Sequence, residues 1–72
     1  MANSDVRAAM ATLDTAIQAL DASAVLAAEF TDGAEVNGPG FVFRLGRMVE
    51  DLKLHSTATV AELEALRELE DR

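Results

Sequence analysis

Cysteine, tryptophan and tyrosine are absent from this 72-residue chain, and proline occurs once. Without cysteine the chain can form no disulfide, no thiolate metal site and no thiol nucleophile. A chain of this length is one domain at most, and it buries too little surface to be strongly stable alone. Regular helix packing and self-association are the remaining ways for such a chain to become stable.

Aromatic residues are scarce, since three phenylalanines are the only ones. Half of the residues are nevertheless hydrophobic, and alanine supplies much of that share. Alanine together with leucine, glutamate and arginine favours helix by intrinsic propensity. The composition therefore predicts an all-α protein.

Targeting and membrane segments are not expected. The opening residues show no basic region followed by an apolar run, which is the pattern of a signal peptide. No apolar stretch approaches the ~18 uninterrupted residues of a membrane span. We expect a cytoplasmic protein that has no membrane partner.

Positive charge is also in short supply, because six basic residues face thirteen acidic ones and the net charge is −7. Such a surface repels phosphate backbones and anionic lipid, so we expect no direct binding to nucleic acid. The acidic balance has two interpretations. It either serves solubility or attracts a basic protein partner.

The one clear break in the chain is the glycine- and proline-rich segment from Gly33 to Gly40. It separates two long segments, with no proline beyond Pro39, that predict helices over about residues 4–32 and 39–70. Gly33 suits the end of the first helix, while Gly38 as N-cap and Pro39 suit the start of the second. These features predict an antiparallel two-helix hairpin, and pairing two hairpins would give a four-helix bundle.

Apolar residues of the first helix recur with alternating steps of four and three, which is the stripe of coiled-coil packing. The stripe consists of Val6, Met10, Leu13, Ile17, Leu20, Ala24 and Ala27. Leu26 and Phe30 lie with several alanines on a different side. A helix that is apolar over a wide arc usually packs against more than one neighbouring helix.

The second helix has one narrow apolar stripe, and its phase is kept across residues 55–59. A continuous helix is therefore expected. Thr59 and Glu62 also match a capping box, so a break near residues 55–59 and a separate third helix are the alternative. From the stripes and the Leu26 side, we predict the following interface residues: Val6, Met10, Leu13, Ile17, Leu20, Leu26, Phe30, Phe41, Leu45, Met48, Leu52, Leu63 and Leu66.

Catalytic chemistry finds little support. His55 is the only histidine, and Asp51 lies one helical turn before it. A structural zinc needs four ligands, so this pair does not make a metal site. No serine stands in a recognisable nucleophile motif. We expect no catalytic, cofactor-binding or metal-binding residue and no enzymatic activity.

Charged residues supply the candidates for binding another protein. Asp14, Asp21, Glu29 and Asp32 are spread along the first helix, away from the centre of its stripe. Arg44 and Arg47 begin the only basic cluster of the chain. Arginine is a frequent anchor at interfaces, although pairing with nearby acids explains the cluster as well.

The opening residues resemble the start of a family of small helical-hairpin proteins of Pseudomonas phages that inhibit quorum sensing and twitching. The resemblance covers about the first sixteen residues and is carried by Met1, Asn3, Ser4, Asp5, Val6, Arg7, Met10, Leu13 and Ala16. It implies a dimeric hairpin that blocks host proteins, including the DNA-binding face of a LuxR-type regulator. It carries over no binding residues, because the loop and the aromatic positions differ.

Two functions follow from these features. The first is a homodimeric, protein-binding inhibitor or regulator of a host protein, encoded by a phage if the resemblance holds. The alternative is a self-assembling structural or scaffold component, which would grow beyond dimers.

Overall fold

The computed structural model describes residues 3–33 and 40–71. They form two helices, α1 over Asn3–Gly33 and α2 over Phe41–Glu70, and no strand occurs within them. The predicted all-helical class is confirmed. The predicted turn residues 34–39, with Gly38 as N-cap and Pro39 after it, lie outside the described residues.

The two helices pack against each other as an antiparallel hairpin. At the turn end, the rings of Phe30 and Phe41 stack with their centroids 5.3 Å apart. At the open end, Val6 of α1 and Leu66 of α2 line a common groove. The numbers of facing residues thus add up to 71 at one end and 72 at the other. This register shows which residue of α2 lies at the same height along the hairpin as a given residue of α1; we call two such residues level.

The contact between the helices is a seam of half-buried side chains with alternating steps of three and four. This spacing keeps one face of a helix against its neighbour over its whole length. In α1 the seam consists of Val6, Ala9, Leu13, Ala16, Leu20, Ser23, Ala27 and Phe30. In α2 it consists of Phe41, Leu45, Met48, Leu52, His55, Thr59, Glu62, Leu66 and Leu69.

In α1 the seam differs from the predicted stripe. The two share every seventh residue, beginning at Val6, but Met10, Ile17 and Ala24 are exposed. The residues one position earlier, Ala9, Ala16 and Ser23, take their place, and all three are small. Small residues at a helix contact let the two backbones approach closely, which accounts for the choice. Met10 and Ile17 are left on the side of the hairpin.

Helix α2 runs without a break through residues 55–59. The Thr59 hydroxyl donates a hydrogen bond of 2.8 Å to the His55 carbonyl oxygen. This is the bond that a threonine makes to the preceding turn inside a helix, and not the bond of an N-cap. The Thr59 capping box therefore starts no third helix.

Two glycines flank the turn: Gly33, which the sequence predicts directly after the last residue of α1, and Gly40, for which it predicts no role. Gly33 is the last residue of α1 and does not follow it. Gly40 precedes α2 with φ 79° and ψ 7°, in the left-handed region that favours glycine. The Arg44 amide donates to the Gly40 carbonyl at 2.9 Å, which closes the first turn of α2.

Gly46 offers a stability test within the fold. A Cβ atom added at Gly46 would meet no atom within 4 Å, so the glycine serves no close approach between α1 and α2. Glycine in a helix interior costs roughly 0.5–1 kcal/mol relative to alanine. We expect Gly46→Ala to raise the melting temperature by about 2–8 °C, measured by circular dichroism at fixed protein concentration. A lowered melting temperature would contradict this account of Gly46.

Candidate functional site

The described residues contain no group of three or more histidine, aspartate or glutamate side chains that could hold a metal ion. His55 is half-buried in the seam, level with Ala16 and Ile17 of α1. Asp51 is exposed on the side of the hairpin. The histidine and the carboxylate therefore have different surroundings, and no third polar group completes a site there.

The most unusual property of the hairpin is its lack of a core. No described residue is buried. The accessible surface is 5506 Å², whereas a compact monomer of 7.7 kDa exposes about 4,300 Å². The hairpin thus exposes over a thousand square ångströms more than a compact protein of its mass. An excess of this size is typical of a chain that is covered by a partner.

One side of the hairpin carries an almost uncharged apolar surface, which we call the Met10 face. Met10 and Glu70 share a groove with Val6 and Leu66, so the two helices meet there on the same side. Steps of seven from Met10 and Glu70 define the face, because residues seven apart share a helix side. It consists of Met10, Ile17, Ala24, Thr31, Val42, Val49, Ser56, Leu63 and Glu70.

The Met10 face holds half of the large apolar side chains that are exposed among the described residues. Met10 is 55% exposed, Ile17 46% and Val49 52%, and Val42 and Leu63 are also exposed. Glu70, at the open end, is its only charged residue. An apolar strip of this length along a small protein indicates an interaction surface.

The opposite side, which we call the Leu26 face, has a different character. Leu26 and Asp51 share a groove there with Ser23 and Met48. Steps of seven from Leu26 and Asp51 add mainly alanines and threonine, together with Asp5 and Arg44. Leu26 is the one large apolar side chain of this face. The two sides of the hairpin therefore differ in both charge and apolar content.

The four acidic partner-binding candidates all lie on the exterior. Asp14, Asp21, Glu29 and Asp32 are exposed. The Asp14 carboxylate accepts a hydrogen bond of 2.7 Å from the Gln18 side chain one turn later. The structure thus leaves these acids accessible to another molecule, although they form a broad row and not a pocket.

The two basic candidates are exposed near the turn. The Arg44 guanidinium lies over the Phe30 ring, 5.8 Å from its centroid. This contact joins the aromatic stack of Phe30 and Phe41, and a cation over an aromatic face is a favourable arrangement. Arg44 therefore helps to close the turn end of the hairpin. Arg47 lies one turn further along the exposed side of α2.

The interface residues predicted from sequence fall into two groups. Most lie in the seam between α1 and α2, while Met10, Ile17, Leu26 and Leu63 are exposed. Sequence reasoning missed Val42 and Val49, which complete the Met10 face. A signal for them exists, because steps of seven back from Leu63 pass through both positions and through Ser56.

No helix of the described residues is both long and apolar enough to cross a membrane. The chain matches no known protein-family model, no curated protein and no solved structure.

Proposed function

We propose that this chain is a protein-binding module that acts as a homodimer in the cytoplasm and regulates or inhibits another protein without catalysing a reaction. One observation carries the proposal: the described hairpin buries no residue and leaves ten large apolar side chains exposed. Binding between proteins is the process that covers such surface, since burying apolar area contributes about 25 cal/mol per Å².

The oligomeric state tests the first part of this proposal. A dimer of two hairpins would place the exposed apolar side chains of one hairpin face in the centre of a four-helix bundle, as in other small helical proteins. We expect light scattering at micromolar concentration to give twice the mass of the chain. A monomer that melts cooperatively, at a temperature independent of concentration, would contradict the proposal. Growth beyond the dimer would favour the self-assembling structural component instead.

The second part concerns the partner, which we propose to be a basic protein surface. Asp14, Asp21, Glu29 and Asp32 would appear twice on a dimer, once on each copy. Clustered charge of one sign speeds the encounter with an opposite charge, and salt weakens the effect. The partner itself would be identified by affinity capture from a bacterial lysate.

Neutralising these acids tests the electrostatic part with the captured partner. We expect Asp14→Asn, Asp21→Asn, Glu29→Gln and Asp32→Asn together to lower the association rate about tenfold or more at low salt and to reduce its salt dependence. The measurement is stopped-flow or surface plasmon resonance over a salt series, with the dimer verified by light scattering.

A matched control removes four acids elsewhere. Neutralising Glu50, Glu64, Glu68 and Asp71, all exposed on or directly after α2, changes the net charge of −7 by the same amount. We expect this control to bind nearly as fast as the wild type. Equal effects of the two variants would mean that net charge alone matters, and no effect of either would retire the acidic surface as the binding site.

A further inference from the structure

We propose that the Met10 face of one hairpin binds the Met10 face of a second copy, with both turns at the same end and the two-fold axis parallel to the helices. In this arrangement α1 of each copy lies against α2 of the other. The inference rests on the homodimer of the proposed function and adds the surface and the orientation.

The choice of face follows from charge and area. The Met10 face has one charged residue, Glu70, whereas the Leu26 face carries Asp5, Arg44 and Asp51. Helices of 31 and 30 residues are roughly 45 Å long, and the molecule is 14 Å wide. The footprint is therefore on the order of 600 Å² per copy, within the range of a specific dimer interface.

The orientation follows from the two rows that border the Met10 face. Each border residue lies three positions before a residue of the face and is therefore its neighbour on the helix side. The border row of α1 consists of Arg7, Asp14, Asp21 and Ala28, and that of α2 consists of Gly46, Lys53, Val60 and Arg67. All eight are exposed. The first row holds two acids and the second holds two bases and no acid.

With the turns at the same end, the border row of α1 meets the border row of α2 of the second copy. The register of the hairpin makes Asp21 level with residue 51, two residues from Lys53. That offset is about 3 Å along the axis. Asp21 of each copy therefore faces Lys53 of the other, and the symmetry creates this attractive pair twice.

Side-chain size also fits this orientation. By the same register, Ile17 lies one to two residues from the level of Ser56 of the second copy, and Ala24 lies one to two residues from the level of Val49. A large side chain thus meets a smaller one at both levels, as interdigitated packing requires. Ala28 lies two to three residues from the level of Gly46, so the small border residues also lie near each other.

The opposite orientation, with the turns at different ends, sets like charges together. There α1 faces α1 of the second copy, and centring the two hairpins brings Asp14 level with Asp21 twice. Sliding one hairpin by a heptad pairs Arg7 with Asp21 but brings Lys53 level with Arg67. Like charges at such positions destabilise a contact.

The proposed orientation has one like-charge contact of its own. Arg7 comes near the level of Arg67 of the second copy, at the open end. Glu70 and Asp71 lie within about one turn of Arg67 and reduce the repulsion there. The central pair of Asp21 and Lys53 has no such opposing neighbour on the border rows, so the balance favours turns at the same end.

Cysteine cross-linking tests the orientation cleanly, because the chain has no native cysteine. The double variant Ala28→Cys/Gly46→Cys keeps Asp14, Asp21 and Lys53. We expect mild oxidation to give a covalent dimer with a 28–46 disulfide between copies, identified by peptide mass spectrometry. The variant Arg7→Cys/Ala28→Cys probes the opposite orientation, in which residues 7 and 28 would meet, and we expect no 7–28 disulfide.

A charge reversal gives a second measurement that needs no cross-link. In the proposed orientation Asp21→Lys faces Lys53 and should weaken the dimer about tenfold, and Lys53→Asp in the same chain should restore it. In the opposite orientation Asp21→Lys would relieve its contact with Asp14 and strengthen the dimer. If the wild type is dimeric, a 7–28 disulfide in the Arg7→Cys/Ala28→Cys variant, or a dimer strengthened by Asp21→Lys, overturns the orientation and leaves the proposed function standing. A monomeric wild type overturns both.

Discussion

Ile17→Asp is expected to convert the proposed dimer into a monomer. Ile17 lies at the middle of the Met10 face and is 46% exposed in the hairpin. Against a second copy it would be covered, and an aspartate there would bring an unpaired charge into an apolar contact. A few residues at the centre of an interface cost about 2 kcal/mol or more when truncated, and the added charge gives Ile17→Asp a cost of that size. A two-fold dimer contains the change twice, so the dissociation constant should rise roughly 1,000-fold.

Val25→Asp is the matched control for this variant. Val25 lies on α1, is branched at Cβ like Ile17 and is 48% exposed, but it belongs to the outer side of the helix. We expect Val25→Asp to stay dimeric, with light scattering and sedimentation at several concentrations as the measurement. If both variants remained dimeric, the Met10 face would not be the interface. If both became monomeric, loss of helix stability and not loss of a contact would be the cause.

The architecture could be predicted from sequence because its determinants are local. Glycine and proline interrupt the helical pattern only near the turn, and alanine and leucine favour helix on both sides. The ends of the helices were harder to predict. Gly33 is part of α1, and Gly40 takes the left-handed conformation. The sequence has several glycines in this region and does not indicate which of them takes that conformation.

The seam of α1 shows why periodicity alone did not give the correct contact. Val6 and the residues at steps of seven after it can form a continuous helix face with either of two neighbouring rows. One row consists of Ala9, Ala16 and Ser23, and the other, one position later, consists of Met10, Ile17 and Ala24. Hydrophobicity favours the row of Met10, whereas close approach of two backbones favours the row of Ala9. The second effect depends on the partner helix, so it is not visible in a single helical segment.

The polar residues of the α2 seam were also difficult to predict, because their place depends on the facing residues of α1. His55, Thr59 and Glu62 lie in the α2 seam although none is apolar. Their levels on α1 fall near Ala16, Leu13 and Ala9, and two of these three are alanines. Half-burial leaves their polar ends access to water, so the seam tolerates them. The sequence indicated the phase of this segment but not which residues would hold it together.

Leu52→Asp is expected to destabilise the hairpin itself, and not merely to separate two copies. Leu52 is a half-buried seam residue near the middle of α2, level with Leu20 of α1. Replacing a packed leucine with alanine costs roughly 2–5 kcal/mol in a full core. Half-burial lowers that figure, but an unpaired carboxylate in the seam adds to it. We expect a loss of about 3 kcal/mol, against a total of roughly 4–11 kcal/mol for a domain of this length.

Leu54→Asp is the control that distinguishes lost packing in the seam from a lower helix propensity of α2. Leu54 lies two residues later in α2 and is 67% exposed on the outer side, so its replacement removes little packing. Circular dichroism at 222 nm with urea titration should show a large loss of midpoint for Leu52→Asp and a change within about 0.5 kcal/mol for Leu54→Asp. Because the dimer would form only from folded hairpins, raising the protein concentration should partly restore the urea midpoint of Leu52→Asp. Equal destabilisation by the two variants would mean that the loss of stability comes from lower helix propensity and not from lost packing in the seam.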